Sequence, residues 1–155
     1  MHCYKVVKVT LRAATTKDGD FLYRLHRRVM QMYVIETWGQ WDEAWQSQYF
    51  HQHFNPGACQ IIVFQEQDIG VICVERRPTD LFLRYIEVLP AYQAQGIGTQ
   101  LIRALMDEAH KRGVPLSLRV LRVNPARKLY ERLGFVISGE TATHYLMSTI
   151  PKTGV

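Results

Sequence analysis

The chain has 155 residues, 47% of them hydrophobic, the size of one ordinary domain with enough apolar surface to build a core. Its 19 basic residues against 14 acidic ones leave a net charge of +5, which favours an anionic partner without choosing between nucleic acid, a membrane surface and a phosphorylated small molecule. The start, "MHCYKVVKVTLRAA", lacks the apolar core of a signal peptide, and no run approaches the ~18 apolar residues of a membrane span, so a soluble, non-exported protein is expected.

Val6 to Leu11 alternates as a first strand, and Thr15 with Asp18 three residues later forms a capping-box pattern that opens a helix. Phe21, Leu25, Val29 and Met32 then fall at helical spacing. A break at Gly39 precedes a second short helix capped by Asp42 and ended by "NPG" at 55 to 57. Three strands follow, Gln60 to Glu66, Ile69 to Arg76 and Leu81 to Leu89, joined by a tight "QDIG" turn and an "RPTD" break, hence antiparallel neighbours. The next helix carries Leu101, Leu105 and Ala109 on one stripe beside Ile102 and Met106, and Gly113 with Pro115 ends it. Leu116 to Leu121 reads as a strand, Pro125 to Leu133 as a helix, and Phe135 to Ser138 and Thr143 to Ser148 as closing strands. The order β, αα, βββ, α, β, α, ββ requires a mixed sheet. No repeat or linker divides the chain, so residues 1–155 are read as one domain. Cys3, Cys59 and Cys73 are odd in number and not in CxxC spacing. Neither a disulfide framework nor a cysteine zinc site is therefore expected, and a reducing cytoplasm is the simplest compartment.

The chemistry concentrates in "AYQAQGIGTQLIRALM", Ala91 to Met106, where two glycines open a helix directly after a strand. Unpaired N–H groups and the helix dipole favour an anion there, and glycines let a phosphate come close. A dinucleotide fingerprint wants a third Gly where Leu101 stands, and a P-loop wants a Gly-Lys-Ser/Thr that is absent. The strand "YIEVLP", the turn Gln93-x-x-Gly96-x-Gly98 and "NPARKLYERLGF" from Asn124 to Phe135 together resemble the GCN5-related N-acetyltransferase (GNAT) family. In that family the turn is the acetyl-coenzyme A signature.

The resemblance implies a GNAT fold, a mixed and mainly antiparallel sheet of six or seven strands with helices on both faces, splayed where acetyl-coenzyme A enters. It places the pyrophosphate on the backbone amides of Gln95, Gly96, Ile97, Gly98 and Thr99, with Gln93 at the family's Gln/Arg position. Val88 and Leu89 would pair with the pantetheine arm, and the Val88 N–H would meet the thioester oxygen as an oxyanion donor. Asn124 would bond the same arm, and Arg127, with Lys128 beside it, would point toward the phosphates. Many members carry Ala three and Tyr seven residues after the Asn, whereas here Ala126 and Tyr130 come two and six after it. Tyr130 is placed at the departing sulfur, as a hydrogen-bond donor more than a full acid, since a phenol near pKa ~10 is weaker than a thiol near ~8.5.

Two side chains are candidate bases: Glu87, beside the oxyanion donor, and His144 on the last strand, with a pKa near ~6.5 suited to neutral pH; a water chain with no single base is the alternative. A Glu that some members carry on the strand after the cofactor helix is replaced here by Arg119. Tyr33, Trp38 and Trp41, with Met30 and Trp45, stand where the resemblance puts the acceptor wall. Glu36, Asp42 and Glu43 nearby would favour a cationic amine. His51, His53 and Cys59 lack a fourth ligand, so no metal is expected. The activity implied is acetyl transfer to a primary amine, a small molecule being favoured over protein N-termini and over aminoacyl-tRNA. A non-catalytic acetyl-coenzyme A sensor is the rival reading. No membrane partner is expected, and the resemblance also implies pairing of two copies through a sheet edge, with no edge marked.

Overall fold

The structure, a computed structural model, describes residues 8–150. Within them seven strands form one sheet in the order β1-β2-β3-β4-β5-β7-β6, with four α-helices. The mixed, mainly antiparallel sheet expected from the sequence is observed.

β1 is Thr10–Ala13, later than the expected start; Val6 and Val7 lie outside the described residues. The Thr15/Asp18 capping box forms, closing a short 3-10 turn that leads into α1, Gly19–Trp38. Helix α2, Glu43–His53, is capped by Asp42, which accepts from the Trp45 N–H at 3.0 Å. β2 (Cys59–Phe64) and β3 (Gln67–Arg76) are joined at Gln65 and Glu66, both at positive φ. The turn is therefore not at "QDIG", whose residues begin β3. A two-residue loop matches strand twist best in the left-handed conformation, and here non-glycine residues adopt it.

β4 (Leu81–Val88) leads through a 3-10 turn, Pro90–Tyr92, into α3, Ile97–Arg112. β5 (Leu116–Leu121), α4 (Ala126–Arg132), β6 (Val136–Glu140) and β7 (His144–Ser148) complete the chain. β7 lies between β5 and β6.

Two cores clamp the sheet. Leu101, Ile102, Leu105 and Ala109 of α3 pack on one face against Ile62, Ile72, Leu83 and Leu118. On the other, Leu22 and Leu25 of α1 pack against Ile61, Val71, Cys59 and Cys73. Each fully buried Leu or Ile contributes roughly 1.5–3 kcal/mol. Cys59 and Cys73 face each other across β2 and β3, and their sulfurs are disulfide-bonded. This corrects the expectation of unpaired cysteines and removes the cysteine argument for a reducing compartment.

The sheet's one parallel pair is also its opening. β4 and β5 are hydrogen-bonded only from Leu81–Leu83 to Leu116–Leu118; beyond that they part, leaving Glu87 and Val88 without a neighbour on the β5 side.

Candidate active site

At the parting of β4 and β5 the backbone of β4 presents an open donor. The Leu89 N–H is bonded to the Ile69 carbonyl at 2.8 Å. Because strand amides alternate in direction, the Val88 N–H points the other way, into the gap. The Val88 amide thus faces the gap, whereas the Leu89 amide is engaged in holding β4 to β3. A Cβ on Gly70 would sit 2.5 Å from the Glu87 carbonyl, so a glycine at this register position lets the two strands approach.

The glycine turn stands just above. Ala94 and Gly96 have φ of 60° and 83°, and Gly96 caps α3 with no side chain bonded to the helix end. The first intrahelical bond of the turn is Gln100 N–H to Gly96 carbonyl, 3.0 Å, which leaves the amides of Ile97, Gly98 and Thr99 as open donors. No atom lies within 4 Å of where a Cβ on Gly96 or Gly98 would be. These open amides and the unfilled space fit a diphosphate. Gln93 and Gln95 brace the turn with their side chains: Gln93 Nε2 donates to the Val88 carbonyl at 2.9 Å and Gln95 Nε2 to the Ala91 carbonyl at 3.3 Å.

A cavity of about 940 Å³ opens between the sheet and helices α1 and α2. Glu87 faces it from β4 but is only 3% exposed. Both of its carboxylate oxygens are met by one group, the Nδ1–H of His26 from α1, at 3.0 and 3.1 Å. Burial of the imidazole disfavours its cation, but the charge and hydrogen bond of Glu87 outweigh this and hold His26 above its ordinary pKa. With Nδ1 turned to Glu87, the other ring nitrogen has no hydrogen-bond partner among the described residues, and His26 lines the cavity. His26 was not anticipated. One turn after Leu22 and Leu25, on a helix of mixed polarity, it carried no signal of its own.

Tyr130 reaches the same cavity from α4. Burial, with the nearby Glu87 charge, pushes its pKa to about 12, so it is a protonated phenol at any physiological pH. Tyr85, between Glu87 and the disulfide, is likewise held at about 12 by burial and Glu87. Asn124 lines the cavity, its side-chain carbonyl accepting from the Ala126 N–H at 2.9 Å in a turn just before α4. Arg127 lies 5.0 Å from the Tyr145 ring centre and pairs with Glu131 at 3.6 Å, so its guanidinium has partners within the fold.

His144 sits on the cavity wall with Nδ1 2.8 Å from the Thr143 hydroxyl. Burial and the positive charge of Arg119 lower its pKa. It does not meet Glu87. Trp38 lines the cavity, its ring 6.4 Å from that of His144, and Trp45 and Tyr49 of α2 stack at 5.1 Å alongside. Trp41 instead packs its ring 6.2 Å from His26 and donates Nε1–H to Glu43 at 2.8 Å. Tyr33 does not line the cavity: it falls on a different stripe of α1 from His26, Met30 and Trp38. Glu43 also accepts from the Tyr23 hydroxyl at 2.7 Å and from Arg27 at 3.0 Å, tying α2 to α1. Of the three acids expected near an acceptor, only Asp42 faces the cavity. His51 and His53 are bonded to the Ser47 and Tyr49 carbonyls. Among the described residues no cluster of His, Cys, Asp and Glu is arranged to hold a metal ion.

The profile of the acetyltransferase (GNAT) family matches residues 21–135. No curated protein sequence matches the chain. Among solved structures, the PaiA N-acetyltransferase of Thermoplasma acidophilum in complex with coenzyme A aligns with a TM-score of 0.73 at 16% identity, covering 92% of this chain and 98% of that one. The ribosomal-protein-S18-alanine N-acetyltransferase of Escherichia coli aligns at 0.68 and 23% identity, covering 96% and 97%. Ard1 from Thermoplasma volcanium aligns at 0.63 and 20%, covering 92% and 97%. At these identities the likeness is one of fold.

Proposed function

Because this chain belongs to the acetyltransferase (GNAT) family, we propose that it moves an acetyl group from acetyl-coenzyme A to a primary amine, with His26 as the base. When bound, acetyl-coenzyme A supplies an activated acetyl thioester. The observation that carries the reading is the buried Glu87 carboxylate bonded to the cavity-lining His26 at 3.0 Å, beside the open Val88 N–H. The coenzyme A held by a protein of the same fold supports the choice of cofactor.

An amine attacks only as the neutral base, so its ammonium proton must leave first. The free ring nitrogen of His26 accepts that proton and releases it to solvent, then takes the second proton that the nitrogen sheds as the C–N bond forms and the C–S bond breaks, while Glu87 fixes the tautomer and stabilises the imidazolium that results. Glu87 is then a positioning residue, since both its oxygens are engaged by His26. The Val88 N–H donates to the acetyl oxygen as negative charge gathers there. The open amides of Ile97, Gly98 and Thr99 bind the diphosphate. The Tyr130 hydroxyl donates a hydrogen bond toward the departing sulfur. Full transfer of its proton to a thiolate of pKa ~8.5 would be uphill by roughly 5 kcal/mol from a phenol at about 12, so the proton stays on Tyr130.

Incubation with acetyl-coenzyme A and a panel of aryl amines, amino acids and short peptides, read by mass spectrometry for one added acetyl group, tests the proposal. At least one acceptor is expected to gain the group. Cofactor binding with no acetylated product across the panel would overturn amine transfer and favour a sensor.

A further inference from the structure

Arg119 lies near the middle of β5, one residue beyond the last paired residue, Leu118. Its flanking residues Leu118 and Val120 are buried in the core on the α3 side, so alternation turns Arg119 to the other face, where it is exposed and lines the cavity. Among the described residues no carboxylate pairs with it. The other arginine on the cavity, Arg84, has Glu75 at 3.4 Å. A guanidinium is charged at all working pH, and its planar fork matches a carboxylate with two parallel hydrogen bonds.

From Arg119 and the geometry around it we infer that the acceptor carries a carboxylate at the end opposite its reacting amine. Three relations support this. First, Leu83 and Leu118 are in register; Glu87 lies four residues further on β4, one of them taken up by the bulge at Arg84, and Arg119 one residue further on β5. At about 3.3 Å per residue the backbones of the two are offset by roughly 7 Å along the sheet. The amine and carboxylate of an α-amino acid are separated by a single carbon, too short for this offset; a dipeptide or a longer amino acid spans much more of it. Second, the wall above the offset is aromatic: Trp38, Trp45 and Tyr49 are 55%, 56% and 49% exposed and line the cavity, surface that an apolar body would cover. Third, the amine end has its own negative charge in Glu87, so the two ends of the cleft are opposite in sign and set the direction of binding. The inference rests on the amine-transfer reading for its orientation, and on Arg119 alone for the carboxylate.

The test compares Ala-Phe with its C-terminal amide, and Phe with phenylalaninamide, as acceptors for wild type and Arg119→Gln. In parallel, calorimetry measures binding of the same four compounds without acetyl-coenzyme A. Wild type is expected to favour Ala-Phe over its amide by about 10- to 100-fold in kcat/KM, the range of a charge-assisted pair, through KM. It should favour Ala-Phe over Phe as well. In Arg119→Gln the acid-to-amide ratio should collapse toward one, and Arg119→Lys should restore part of it. Equal use of acid and amide by wild type, or a ratio that survives in Arg119→Gln, would overturn the inference. Transfer to other amines with neither binding nor acetylation of Ala-Phe would overturn it while leaving amine transfer intact. Preferential binding of the acid that needs Arg119, with no acetylation, would uphold the carboxylate subsite and overturn the transfer reading.

Discussion

Glu87 is the buried acid of the described residues, and His26 is what makes its burial tolerable: a carboxylate out of water needs a hydrogen-bonded counter-charge. The His26 pKa is raised above its unfolded value of about 6.5. The pair's contribution to folding is accordingly full below that value and is lost as pH rises through the folded pKa. Catalysis runs the opposite way, since a base must be unprotonated. The kcat/KM profile is expected to rise with pH along a limb centred above the ordinary histidine value. Glu87→Gln removes the charge that raises the pKa and should move that limb to lower pH while reducing its plateau; a limb that stays in place would disconnect His26 from the rate. Tyr130→Phe removes the hydrogen bond proposed to the leaving group and keeps the ring that packs against Phe135. It should slow turnover by about 10- to 100-fold, on the scale of a charge-assisted hydrogen bond, with the melting temperature little changed.

At the mouth of α3 the fold leaves room for a side chain that a diphosphate on the proposed amides would not accept. Gly98 has space around it and lies in the first turn, where its Cβ would meet nothing within 4 Å. Gly98→Val should leave the melting temperature within a few degrees and weaken acetyl-coenzyme A binding by at least 10-fold, measured by calorimetry; unchanged affinity would move the diphosphate elsewhere. The β2/β3 hairpin holds a different lesson. Cys59 and Cys73 close a segment with a sequence separation of 14, worth about 3 kcal/mol by loop closure. Reduction by dithiothreitol is therefore expected to lower the melting temperature by roughly 10 °C, with no change in the transition counting against the bond. The pairing was not legible beforehand. A regular hairpin closed at Gln65 and Glu66 sets Cys59 opposite Ile72, and it is the bulge between Ile62 and Val63 that brings Cys73 into register.

Across the molecule, what depends on neighbours in sequence was legible and what depends on crossing elements was not. Apolar alternation in "LSLRVL", the stripe Leu101–Leu105–Ala109 and the Asp42 cap each encode their own geometry locally, and β5, α3 and α2 formed accordingly. The glycine turn was legible for the same reason, because Gly96 must supply its positive φ on the spot. The His26–Glu87 contact joins residues 61 apart, and only the packing of α1 across β4 brings them together. Tyr33 and Trp41 do not line the cavity, since a resemblance that assigns the acceptor wall to the first two helices does not say which stripe of each faces inward. Arg119 read as a missing acid while it was only a position on a strand; the parting of β4 from β5 makes it one end of a cleft.

The most direct test of the account is the turnover of His26→Gln set beside its affinity for acetyl-coenzyme A. Loss of a general base costs about 10²- to 10⁴-fold in rate, so kcat should fall by that factor while calorimetric affinity stays within a few-fold of wild type. Turnover at the wild-type rate in His26→Gln would contradict the account.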